Sequence, residues 1–95
     1  MDHLRKNAAQ TAQLLKQLSN ENRLLILCSL AEASMNVSQL SQRMPWLSQS
    51  ALSQHLAKLR AAGVLRVEQV GASMVYSIAD PRAMELLVFL KNLYC

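Results

Sequence analysis

Glycine, proline and cysteine occur only twice each in the 95 residues, and the aromatic set is one tryptophan, two tyrosines and one phenylalanine. So little glycine and proline excludes collagen-like and low-complexity chains, and two glycines cannot form a Gly-rich phosphate loop. Two cysteines are too few for a disulfide scaffold. The six acidic residues are scattered singly, which leaves no carboxylate cluster for acid–base catalysis, so an enzyme is not expected. Apolar runs are short as well: the longest, residues 24–28 and 86–90, have five residues, and none can span a membrane. The opening Met1-Asp2-His3-Leu4-Arg5-Lys6 has no apolar run behind its charges and does not read as a secretory signal. A soluble cytoplasmic protein is expected.

What is abundant is apolar side chain, 52% hydrophobic against 17% charged. A chain of this length makes one domain, residues 1–95, and buries only about 60–65% of its unfolded surface. The apolar content exceeds what one small core absorbs, so a homo-oligomer is expected. Ten Lys and Arg against six Asp and Glu leave a net charge of +4, a bias towards a polyanionic partner.

Along the chain, Leu4, Ala8, Ala12, Leu15 and Leu18 recur at spacings of three and four, which predicts an amphipathic helix ending near Leu18. Ser19 or Asn20 can cap a second helix with Leu24, Leu27, Cys28 and Ala31 on one stripe, and Leu25, Ile26 and Leu30 make it apolar almost all round. Residues 32–36 read as a polar break. Ser38 reads as the cap of a short helix over residues 39–44, with Val37, Leu40 and Met44 inward. Pro45-Trp46-Leu47 stops it. Ser48 then caps a helix over residues 49–62 with Leu52, Leu56 and Leu59 inward, and Gly63 takes the left-handed position after it. Beyond Gly63 the period changes to two, around a turn at Gly71-Ala72-Ser73, predicting a β-hairpin. Asp80 caps a last helix with Pro81 in its first position, and that helix is apolar around its whole circumference.

The predicted fold is therefore mainly α with a small β-hairpin, in the winged helix-turn-helix arrangement. The helix over residues 49–62 is the predicted recognition helix, its polar face Gln49, Ser50, Ser53, Gln54 and Lys58. Short hydrogen-bonding side chains near the helix start let the backbone approach base edges in a major groove, and the positive helix end can meet a phosphate. Arg43, Lys58, Arg60 and Arg66 place cations nearby. The implied partner is double-stranded DNA.

The run Ser48-Gln49-Ser50-Ala51-Leu52-Ser53-Gln54-His55-Leu56-Ala57-Lys58-Leu59-Arg60-Ala61-Ala62-Gly63-Val64-Leu65 resembles the recognition helix of ArsR/SmtB-type repressors. Asn20-Glu21-Asn22-Arg23-Leu24-Leu25-Ile26-Leu27 resembles that family's second helix, and the strand over residues 74–78 its wing. The resemblance covers roughly residues 8–95. It implies a bacterial winged-helix regulator that leaves its operator on sensing a signal, dimerising through its first and last helices. DNA contacts are expected from Ser48, Gln49, Ser50, Ser53, Gln54, His55, Lys58 and Arg60, with His55 read as a packing or phosphate-contacting residue rather than a metal ligand. Two features depart from the family pattern. The turn Met44-Pro45-Trp46-Leu47 is one residue longer than usual, and the wing tip, residues 69–73, lacks Arg and Lys.

The family's metal sites lack their residues here. No cysteine lies at residues 37–40, where the arsenic-type pair would fall, and no histidine lies between Asp80 and Cys95, where the zinc-type site would fall. No metal and no cofactor are expected. By chemistry alone, Cys28 and Cys95 read as small hydrophobes. Leu27-Cys28 and the ending Leu93-Tyr94-Cys95, however, resemble the HlyU/BigR/SqrR-like subgroup, regarded as thiol switches for reactive sulfur or oxidants. That resemblance implies Cys28 and Cys95 as the sensing pair. The residues leave open a constitutive winged-helix DNA-binding protein with inert core cysteines, and a dimerisation module without nucleic acid.

Overall fold

The computed structural model describes residues 2–94; Cys95, half of the implied thiol pair, lies outside the described residues. Five helices and three strands follow one another as α1 (Asp2–Leu18), α2 (Glu21–Glu32), β1 (Met35–Asn36), α3 (Val37–Arg43), α4 (Gln49–Ala61), β2 (Leu65–Val70), β3 (Ser73–Ile78) and α5 (Pro81–Tyr94). The strands form one antiparallel sheet in the order β1-β3-β2. This is the winged helix-turn-helix fold: α3 and α4 are the helical pair and β2–β3 the wing.

The helix starts are set by side-chain caps. The Asn20 side chain accepts the Arg23 N–H at 3.1 Å, which decides between the two caps proposed for α2. For α3 the cap is Asn36, not Ser38. The Gln39 N–H donates to Asn36 Oδ1 at 2.8 Å and the Asn36 N–H to Gln39 Oε1 at 2.9 Å. Ser38 has only Ser41 three residues on, too short to return such a bond, so the reciprocal pair wins and the helix starts at Val37. Residues 32–36 are not wholly a break, because Met35 and Asn36 pair with Tyr76 and Val75. Two residues are too few to show an alternation, which is why that strand leaves no periodic signature. Ser48 caps α4 as expected, Oγ accepting the Ala51 N–H at 3.0 Å. Gly63, at φ 78°, terminates α4, and Gly71, at φ 63°, opens the two-residue hairpin turn. Asp80 starts α5, accepting the Arg82 N–H on Oδ1 at 2.9 Å.

The core gathers Ile26, Leu27 and Leu30 of α2, Leu40 of α3, Leu52, Leu56 and Leu59 of α4, Leu65 and Ile78 of the wing base, and Ala83 and Leu87 of α5. The leucine stripe of α4 is buried as expected. On α2 the deepest face is Ile26, Leu27 and Leu30, whereas Leu24, Cys28 and Ala31 are only half-buried. A helix apolar on every side gives no preferred phase, so its neighbours decide which side goes deepest.

Two elements are incompletely covered. On α1 only Leu18 is buried, and Leu4, Ala8, Ala12 and Leu15 of the expected stripe face solvent. On α5, Phe89 is 60% and Leu93 58% exposed. The projecting helices give the protomer a radius of gyration of 13.8 Å, against about 12.4 Å for a compact domain of this length.

Candidate nucleic-acid interface

The leucine stripe of α4 fixes how the helix is rolled. With Leu52, Leu56 and Leu59 buried, Ser50, Gln54 and Ala57 point directly outward and Gln49 and Ser53 stand beside them, all exposed. At about 100° per residue, Lys58 and Arg60 lie about 80° to either side of the Ser50 direction, so their cations flank the polar strip. Among the described residues neither forms an ion pair. The Ser48 hydroxyl oxygen is taken up by the cap, which leaves its O–H free to donate. The strip can therefore offer hydroxyl and amide groups between two unpaired cations.

His55 sits at the edge of this face, half-buried. Burial pushes its imidazole below the ordinary histidine value, and the charges of Arg23 and Lys58 push it the same way. Arg23 is half-buried, with Nη1 donating to Gln17 Oε1 at 3.0 Å and Nε buried without an acceptor. Arg23, absent from the expected site, thus adds a third cation beside His55 and Lys58.

The other expected cations behave differently. Arg43 is committed to Glu32 at 2.8 Å, and the same carboxylate also binds Lys91 of α5. Those two partners, Lys91 first, hold the Glu32 carboxyl below its ordinary value. The carboxylate joins the end of α2 to both α3 and α5. Arg66, at the wing base, donates from Nε to Ser77 Oγ at 3.2 Å.

The turn before α4 adds a feature with no counterpart in the sequence reading. The Leu47 N–H donates to the Met44 carbonyl at 3.0 Å, closing a β-turn with Pro45 and Trp46 at its apex. The indole Nε1–H of Trp46 donates to Asn22 Oδ1 at 2.9 Å, a partner 24 residues away that no local pattern reveals.

Of the implied thiols, Cys28 is half-buried on α2 and packs against the core. Among the described residues no group of three His, Cys, Asp or Glu side chains is placed to hold a metal, and no helix is long and apolar enough to cross a membrane.

Comparison with known proteins agrees with this geometry. The family model for bacterial regulatory proteins of the arsR family matches residues 20–67, from the cap of α2 into β2. The transcriptional activator HlyU of Vibrio cholerae is 39% identical over 95 residues, spanning 100% of this chain and 87% of that protein. The structure of reduced HlyU from V. cholerae N16961 superposes with a TM-score of 0.93, at 39% identity, covering 100% of this chain and 99% of that one. The crystal structure of the transcriptional repressor BigR from Xylella fastidiosa gives a TM-score of 0.87 at 31% identity, covering 99% and 95%.

Proposed function

The chain belongs to the arsR family of bacterial regulatory proteins, and on that premise we propose that it is a dimeric, sequence-specific DNA-binding transcriptional regulator whose operator binding is set by the redox state of Cys28 and Cys95. It works as a repressor or anti-repressor in the cytoplasm, as one domain, without catalysis, metal or cofactor. The relatives reported above are named as regulators of transcription.

One observation carries the DNA reading: α4 is capped, anchored by three buried leucines, and presents a polar strip between two unpaired cations. Ser53 and Gln54 reach base edges, Ser48, Lys58 and Arg60 bind the backbone, and Gln49 and Ser50 sit nearest the groove floor. Replacing Ser53 or Gln54 with alanine is expected to cost about 1–3 kcal/mol on the operator and much less on random duplex. Fluorescence anisotropy with both duplexes measures this. Equal losses on the two would show that α4 does not read sequence.

His55 serves as a phosphate contact. In the free protein its imidazole is held below the ordinary value by burial, Arg23 and Lys58. A phosphate favours the imidazolium, so the complex takes up a proton that the free protein does not hold. The sign follows: affinity rises as pH falls from the imidazole's titration in the complex towards its lower titration in the free protein, by at most about one log unit per pH unit. His55→Gln should flatten that slope. An unchanged slope would assign the proton to another group.

The thiol reading is supported by the contact between Glu32 and Lys91, which fastens α2 to α5. Cys28 lies one helical turn before Glu32, and Cys95 four residues after Lys91 in the sequence. The similar HlyU structure is that of a reduced form, which also fits a redox role. The packing of Cys28 against the core favours the second reading, a constitutive DNA-binding protein with inert cysteines. Only a thiol response separates the two.

A further inference from the structure

Trp46 is the single tryptophan, and it is 59% exposed. An indole in a flexible loop would need no explanation, but this one is fixed at both ends. Its backbone sits at the apex of the turn closed by Leu47 and Met44, after a proline that pre-sets the turn geometry. Its ring is tied to Asn22 at the start of α2. Met44 is buried and Leu47 half-buried, so the turn is anchored on both sides while Pro45 and Trp46 project. Two residues later Ser48 caps α4. The ring therefore stands just before the N-terminal end of α4, beside the start of α2.

We propose that Trp46 packs against the deoxyribose of a DNA backbone beside the major groove, as a positioning contact that carries no sequence information. The inference rests on the DNA-binding reading and deepens it. The chemistry selects the sugar over the phosphate. The indole N–H is already donated to Asn22, so the exposed surface of the ring is purely apolar and can accept a sugar face but cannot hydrogen-bond a phosphate oxygen. Arg23, next to Asn22 in the first turn of α2, has no carboxylate partner among the described residues and draws a polyanion to this end of the molecule. Asn22 is then a positioning residue, acting through the indole.

The test uses the full chain with two fluorescently labelled duplexes, one from upstream of its own coding sequence and one scrambled. Trp46→Ala, checked for an unchanged circular-dichroism melt, should weaken binding to both duplexes about equally, by about tenfold. The slope of log affinity against log salt should stay as in the unmodified protein, because the lost contact bears no charge. Asn22→Ala should weaken both by a smaller factor, and adding either duplex should change the intrinsic tryptophan emission of the unmodified protein. Unchanged affinity in Trp46→Ala overturns the proposal and leaves the ring to a protein partner. A loss confined to the upstream duplex overturns it in favour of base reading, and a shallower salt slope overturns it in favour of phosphate. If the unmodified protein binds neither duplex, the DNA reading itself falls, and this proposal with it.

Discussion

Phe89→Asp combined with Leu93→Asp is expected to leave a folded monomer that has lost most of its operator affinity. Both side chains are more than half exposed, and Leu87 and Ala83 of the same helix are fully buried, so α5 has one face in the core and another uncovered. On α1, Leu4 and Leu15 are exposed as well. An apolar surface of this extent on so short a chain marks an association site. The proposed two-fold dimer would close it with one patch used twice and set two copies of α4 at half-sites about 34 Å apart. An aspartate at the centre of such a contact must be desolvated without a partner, which the dimer cannot tolerate. The core keeps its residues, so the far-ultraviolet spectrum should hold. Binding then loses the gain from joining two half-sites, on the order of 10²–10⁴ in affinity. Light scattering at micromolar concentration and anisotropy on the operator measure the two halves of this result. A well-folded monomer formed by the unmodified chain would refute the dimer outright.

The parts of this molecule legible from sequence are those whose signal repeats. Leu52, Leu56 and Leu59 with the Ser48 cap define α4, its roll and its outward residues, because burial at helical spacing leaves only one face free. Gly63 and Gly71 mark where the chain must turn with positive φ, and both do so. The cap of α3 is ambiguous in the sequence because Ser38 looks as good as Asn36 until Gln39, the reciprocal partner of Asn36, is considered. The phase of α2 is not legible from sequence, because a helix apolar on all sides fits equally well at several rotations.

What stayed hidden depends on contacts distant in the chain. Arg43 reads as a free cation near the recognition helix, yet it is engaged by Glu32, eleven residues before it. Lys91 reaches the same carboxylate from 59 residues away. Arg23 joins the site only because α2 delivers it beside His55. The bond between Trp46 and Asn22 likewise follows from how α2 and the turn before α4 are packed, which neither segment encodes alone.

Cys28→Ser and Cys95→Ser are each expected to bind the operator normally when reduced and to stay bound after treatment with polysulfide, whereas the unmodified protein dissociates. One thiolate attacks a sulfane sulfur of the polysulfide and becomes a persulfide. The second thiol then displaces hydrosulfide and closes a disulfide, so the two cysteines lose two electrons and the polysulfide gains them. Either serine removes the attacking or the resolving sulfur, and the bond cannot form. A bond between residues 28 and 95 closes a long loop and removes roughly 4 kcal/mol of unfolded-chain entropy, which raises stability without by itself altering DNA affinity. Release needs the linked form to bind DNA less well, by about 1–3 kcal/mol for a typical coupling. The route lies in α2. It carries Cys28, and its last residue, Glu32, holds Arg43 at the end of α3 and Lys91 on α5. In the proposed switch, a bond at Cys28 would pull on α2 and so shift the anchorage of the helical pair and, in a dimer, the separation of the two copies of α4. Anisotropy on the operator, before and after polysulfide, compares the unmodified protein with both single variants and the double variant. Release of the double variant along with the unmodified protein would make the cysteines core residues and place the signal elsewhere.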